Sequence, residues 1–171
     1  MATITVRAAT ESDAADIVRF IRALAEYERA APAVVNVTEQ DVVRDGFGAN
    51  ARFETLIAEV DGAPAGFALF FPTYSTWEGR TGVHIEDLFV EERVRMLGVG
   101  RRLMAAVAGI AAQRGWARLD LAVLDWNPAR AFYHRLGMTQ MEEWLPYRME
   151  PEDVRALAAE AAESAEAPRR E

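Results

Sequence analysis

The stretch Ile85-Glu-Asp-Leu-Phe-Val90, with Arg95-Met-Leu-Gly98-Val-Gly100-Arg-Arg-Leu103 after it, decides the fold of this chain. An apolar, strand-like run leads through a short connection into an apolar-periodic helix predicted from Val99 to Gln113. Glycines at 98 and 100 let the backbone approach a ligand and turn several N–H groups toward one point, where the helix adds the positive end of its dipole. The pattern is that of a pyrophosphate cradle. A dinucleotide fingerprint would need glycine where Leu103 stands, and a P-loop would need Gly-Lys-Ser/Thr where no lysine is near. Glycine-bearing turns from strand to helix also form without a ligand, so the surrounding sequence must decide.

At 171 residues and 51% hydrophobic, the chain fits one globular domain over 1–171, ending in a helix and frayed tail from about residue 150. No apolar run is long enough to span a bilayer, and Met-Ala-Thr-Ile-Thr-Val-Arg lacks the features of a secretory signal; a cytoplasmic protein without a membrane partner is expected. Cysteine is absent, which removes disulfides, thiolate metal sites and a thiol nucleophile. With only His84 and His134, no metal site is expected. A formal charge of −8 disfavours a nucleic-acid partner and suits a cationic small molecule, although many proteins carry such charge for solubility alone.

Ile4-Thr-Val6 alternates as a strand; Thr10 with Asp13 caps a helix carrying Ile17, Val18, Ile21, Leu24 and Ala25 on one face. Thr38 with Asp41 starts a second helix that Gly46 and Gly48 end. Phe53 to Val60 and Ala65 to Phe71, joined at Asp61-Gly62, read as a hairpin. Thr73 to Gly82, with Tyr74 and Trp77, reads as an aromatic loop, and Val83 to Val90 as the next strand. Leu119 to Leu124 is a further strand, and a short helix runs from Asn127-Pro128 to Leu136. Met138 to Met149 alternates as a final strand, and Pro151 to Ala167 forms a last helix fraying toward Pro168-Arg-Arg-Glu.

Three places carry chemistry. Alternation puts Glu86 and Asp87 on opposite faces of their strand, so one points to a buried side or cleft, where low dielectric raises a carboxyl toward the range of a general base; Glu86 is the candidate. Tyr133, in Phe132-Tyr133-His134-Arg135-Leu136-Gly137, could act as a general acid near an N–H-rich site, although most such tyrosines are core residues. Tyr27-Glu28 and Glu142-Glu143-Trp144 combine acids with aromatics and together would line an amine site; separately, each reads as a surface charge beside a packing ring.

This order of motifs, with Trp126-Asn127-Pro128-Ala before Phe132-Tyr133-x-x-x-Gly137, resembles the GNAT acetyltransferase superfamily over nearly the whole chain. Ala25-Glu-Tyr-Glu28, Thr38-Glu-x-Asp41, Asp45-Gly-Phe-Gly48 and Tyr74-x-x-Trp77 are similar to its diamine (spermidine/spermine) acetyltransferase branch. The resemblance implies a single α/β domain whose mixed, mostly antiparallel sheet is flanked by helices and splayed at the acetyl-CoA site. It implies direct acetyl transfer from acetyl-CoA to a primary amine in a ternary complex, with polyamines, diamines and lysine-like amino acids as substrates, and a homodimer with Trp144 to Met149 and the terminal helix as interface parts.

By the same resemblance, Leu88, Phe89, Val90, Arg95, Met96, Leu97, Gly98, Val99, Gly100 and Arg101 hold the pantetheine arm and pyrophosphate, with Asn127, Pro128 and Ala129 as further contacts. Tyr133 protonates the departing thiolate and Glu86 accepts the amine proton through water. Tyr27, Glu28, Glu86, Asp87, Asp120, Leu121, Ala122 and Glu142 line the amine site. Two departures stand out: Met96 replaces a common glycine, and Trp126 to Pro128 is one residue shorter than the usual Trp-Asn-x-Pro. The alternatives are acetylation of a protein or peptide amine, and a non-catalytic acyl-CoA-binding regulator.

Overall fold

The computed structural model describes residues 2–166. A first compact unit ends at Leu136 and a second begins at Gly137. The first contains β1 (Ile4–Ala8), α1 (Ala14–Tyr27), α2 (Glu39–Gly46), β2 (Glu54–Val60), β3 (Ala63–Ser75), β4 (Arg80–Val90), α3 (Val99–Gln113), β5 (Leu119–Leu121) and α4 (Ala129–Arg135). The second contains α5 (Pro151–Glu166). The strands lie in the order β1-β2-β3-β4-β5; the first four pair antiparallel, and β5 joins β4 in parallel. The sheet is therefore mixed and mostly antiparallel, as expected.

Local chemistry fixes most element ends. At the start of α2 the Thr38 side chain accepts the Asp41 N–H at 3.2 Å while Asp41 accepts the Thr38 N–H at 3.0 Å, a reciprocal cap. Asp61 and Gly62 adopt φ 52° and 82°, the left-handed pair that a two-residue hairpin turn needs to match strand twist. The stretch from Thr73 to Gly82 is not an open loop: Tyr74 pairs with Thr81 and Ser75 with Arg80, so the hairpin continues almost to its tip, where Gly79 turns at φ 63°. The final strand expected over Met138 to Met149 is absent, and those residues form turns and irregular backbone. Pro146 lies within that alternation and cannot donate to a ladder. The terminal helix is seen through Glu166; Ala167 and Pro168-Arg-Arg-Glu lie outside the described residues.

The sheet is covered on both faces. On one, Phe20 of α1 is fully buried and stacks on Phe67 at 5.6 Å between ring centroids, with Phe89 at 6.0 Å. Ile17, Val18, Val42, Ile57 and Leu69 complete that cluster. On the other, α3 packs across β1 to β4 with Leu103 and Val107 fully buried.

One irregularity positions the site. Leu69 faces Asp87 across β3 and β4, but the next residue, Phe70, faces Ile85, which leaves Glu86 as the extra residue of a β-bulge. In a regular strand Ile85 and Asp87 would share a face. The extra residue breaks that rule, so Asp87, opposite Leu69 and two residues before Phe89, falls on the α1 side of the sheet.

Truncating the ring that ties α1 to this face should be costly: Phe20→Ala is expected to lose about 3–5 kcal/mol of stability in urea denaturation. A loss below about 1 kcal/mol would contradict the packing described.

Candidate active site

β4 ends at Val90, and a short turn, with the Arg95 N–H donating to Glu92 O at 3.1 Å, carries the chain to Gly98. Gly98 caps α3 at φ 89°, a left-handed conformation that glycine adopts without strain. The first helical bond there runs from Arg102 N–H to Gly98 O at 3.1 Å. By helix geometry the N–H groups of Val99, Gly100 and Arg101 then have no partner within the helix and point outward at its positive end. At Gly100 an added Cβ would already touch the Phe132 ring at 3.5 Å and Val90 Cγ2 at 3.8 Å. Phe89 is buried and Leu88 half-buried beside this turn.

Met96 sits at φ 68° with its side chain 98% exposed, and Leu97 is exposed beside it. The methionine therefore occupies a backbone state better suited to glycine, at a cost of roughly 1 kcal/mol. Arg95 donates from Nε to Val90 O at 3.0 Å and lays its guanidinium 4.7 Å from the Tyr27 ring centroid. It thereby joins the cradle to the end of α1. Three outward N–H groups with the Arg95 and Arg101 cations nearby form a donor set that fits a diphosphate.

Beside the cradle lies an acidic site made by three elements. Glu28 caps the C-terminus of α1, Asp87 comes from the bulged part of β4, and Tyr133 from α4. Burial pushes the Asp87 carboxyl up to about 6, and the nearby Glu86 and Glu28 charges add to the rise. Burial likewise pushes the Tyr133 phenol up to about 12, with Glu28 as the second cause. Burial also raises Glu28 itself. Glu28 thus lies within electrostatic reach of both other groups, and the site concentrates negative charge in low dielectric.

The environment expected for Glu86 belongs to its neighbour. The Glu86 side chain is 58% exposed, and its nearest basic atom is His84 Nε2 at 3.8 Å. The bulge is the reason: it exposes the extra residue and turns Asp87, half-buried, to the α1 side of the sheet.

The other expected residues divide. Asn127 is buried, and its Oδ1 accepts the Ala129 N–H at 2.9 Å, so it caps α4 together with Pro128. Asp120 pairs with Arg118 at 2.8 Å, which commits much of its charge away from an incoming amine. Leu121 is half-buried at the end of β5, and Ala122 follows it, exposed. Glu142 lies in the second unit and is exposed there.

Arg29 belongs to the site's surroundings and was not singled out by motif reasoning. It follows Glu28 at φ 61° and lays its guanidinium 4.4 Å from the Trp126 ring centroid. The only sequence signal for it is a helix that ends without glycine, which forces another residue into the left-handed position.

A strand feeding a glycine-rich helix start, beside an acidic site with a phenol, defines an acyl-transfer architecture, and the chain belongs to the "Acetyltransferase (GNAT) family", whose description matches residues 20–138. It is an N-acetyltransferase, and members of this family use acetyl-CoA. It is 41% identical to thialysine N-epsilon-acetyltransferase of Mus musculus, over 92% of this chain and 99% of that one. Spermidine/spermine N(1)-acetyltransferase-like protein 1 of Homo sapiens is 31% identical over 91% of this chain, which corresponds to 24% of its own length. Among solved structures, an integron cassette protein from V. cholerae superimposes with a TM-score of 0.73 at 25% identity, covering 91% of this chain and 97% of its own. No helix among the described residues is long and apolar enough to cross a membrane.

Asp87 makes stability depend on pH. Its pKa rises from 3.8 toward about 6 on folding, so between these values the folded state binds the extra proton and stability falls as pH rises. Asp87→Asn should therefore be stabilised relative to the parent by on the order of 2 kcal/mol at pH 8 and by nothing measurable at pH 3.5. Thermal melts at the two pH values read this directly, and an equal effect at both would remove Asp87 from the buried site.

Proposed function

We propose that the protein transfers the acetyl group of acetyl-CoA to the terminal primary amine of a small cationic substrate, with a lysine-like amino acid first and polyamines or diamines second. The observation that carries this reading is the half-buried negative site of Glu28 and Asp87 beside Tyr133. A carboxylate pair in low dielectric selects a cationic chain. Relatives named for thialysine and for spermidine/spermine support the same substrate range.

Acetyl-CoA supplies the acetyl group, and its sulfur departs as the thiol. The N–H groups of Val99, Gly100 and Arg101, with Arg95 and Arg101, hold the diphosphate, while Leu88 to Val90 orient the pantetheine arm. Met96 and Leu97 border the cradle, and Pro128 and Ala129 sit where the α4 start adjoins it. Asp87 and Glu28 hold the ammonium end, with Tyr27 beside them. Glu86, exposed to water, takes the amine proton through a water molecule so that a neutral nitrogen attacks.

Tyr133 is protonated at neutral pH, as a phenol ordinarily is, and burial and the Glu28 charge oppose its ionisation further. It therefore always has a proton to offer the departing sulfur. The arriving ammonium offsets the Glu28 charge, one of the two causes of the raised pKa, and so makes the phenol a better acid when substrate is present.

A dimer is part of this reading, because Trp144, Leu145, Tyr147 and Met149 are exposed in the second unit and form an apolar stretch suited to a second copy. A cytoplasmic setting, where acetyl-CoA is made and used, suits the chemistry.

Tyr133→Phe should lower kcat by about 100-fold while acetyl-CoA affinity stays within about twofold. Steady-state kinetics with lysine, thialysine and spermidine, paired with calorimetric titration of acetyl-CoA, measure both. Unchanged turnover would remove Tyr133 from the chemistry, and binding of acetyl-CoA with no amine acetylated would overturn the proposed activity.

A further inference from the structure

The end of α1 is built in an unusual way. Arg29 donates its N–H to Glu26 O at 3.0 Å and Ala30 donates to Ala25 O at 2.9 Å, the pair of bonds that closes a helix through a left-handed residue. Glycine is the usual occupant of that position because a Cβ is strained there. This chain places arginine in it, at φ 61°. Strain of this kind persists where the surrounding structure holds the residue, and it clusters at functional sites.

The side chain has a definite resting place. The guanidinium carbon lies 4.4 Å from the Trp126 ring centroid, in the segment leading into α4. Stacking on a ring uses the face of the guanidinium and leaves its edge N–H donors available. Among the described residues Arg29 makes no ion pair, and its contact with the Trp126 ring is what holds the side chain. An unpaired, ring-held cation therefore adjoins Glu28 in sequence, while Glu28 reaches both Asp87 and Tyr133 electrostatically.

A site for a simple diamine gains nothing from a ring-held cation one residue from Glu28, because that charge repels a second ammonium. An amino acid whose side chain ends in a primary amine has charges that match it: ammonium toward Glu28 and Asp87, α-carboxylate toward Arg29. We propose that Arg29, braced on Trp126, reads the α-carboxylate of the substrate and makes the enzyme prefer a lysine-like amino acid over a diamine of the same length. This inference rests on the amine-acetyltransferase reading above and sharpens its substrate class.

The test compares lysine with cadaverine, which is lysine without its carboxylate, in the full-length protein. Arg29→Gly keeps the left-handed helix closure and removes only the side chain. It should raise KM for lysine about tenfold, the scale of one charge-assisted hydrogen bond, leave KM for cadaverine and for acetyl-CoA within about twofold, and leave the melting temperature unchanged or higher. Arg29→Gln and Trp126→Leu, which weaken the same contact without a glycine, should also raise the lysine KM selectively, and Arg29→Lys should recover part of the loss.

An equal rise of KM for lysine and cadaverine would mean that Arg29 only shapes the site, and would overturn the proposal. So would an unchanged lysine KM in Arg29→Gly and Trp126→Leu. Acetylation of both amines by the parent protein with no preference for lysine would refute carboxylate reading while leaving the acetyltransferase reading standing. Acetylation of neither would overturn both.

Discussion

The bulge at Glu86 is the constraint on which the rest of the site depends. A single extra residue in β4, opposite the Leu69–Phe70 step of β3, puts Asp87 on the α1 side of the sheet and leaves Glu86 in water. Without it, Asp87 would share the Ile85 face and lie away from the Glu28 charge. Two adjacent carboxylates thus acquire different environments from one backbone irregularity, and different environments give different proton affinities. The same strand then runs directly into the turn that presents the α3 N–H groups, so one strand joins the acidic groups to the glycine-rich helix start.

Rigidity around that segment comes from ordinary packing. Phe20, Phe67 and Phe89 lock α1 to β3 and β4, and the α1 terminus carries Tyr27, Glu28 and Arg29. Two stacked cations hold this terminus from either side: Arg95 over Tyr27 ties it to the cradle, and Arg29 over Trp126 ties it to the segment before α4. Glu28 stands between those contacts in sequence. Such interactions are worth about 0.5–1 kcal/mol each at exposed positions, too little to fold a domain but enough to fix side chains at a site to be occupied.

Much of this was legible from residues alone, for identifiable reasons. Gly98 and Gly100 before an apolar-periodic run announced α3 and its cradle, and the observed helix begins and ends where the periodicity does. Thr38 with Asp41 and the Asp61-Gly62 pair are local devices whose chemistry requires no tertiary context. The bulge was not legible, because register is a relation between two strands and the sequence of β4 by itself obeys alternation. That is why alternation alone points to Glu86 for the environment that the structure gives to Asp87. The Met138 to Met149 stretch misled in the other direction: its alternation imitates a strand, but Pro146 interrupts the donors a ladder would need.

The acidic site depends on the bulge holding Asp87 in a partly desolvated, negative environment. Carbon-detected NMR titration of the Asp87 side-chain carboxyl, in the protein and in Glu28→Gln, measures this without reference to turnover. A midpoint near 6 that falls when the Glu28 charge is removed is the predicted result. A midpoint near the ordinary aspartate value, about 4, unmoved by the substitution, would contradict it.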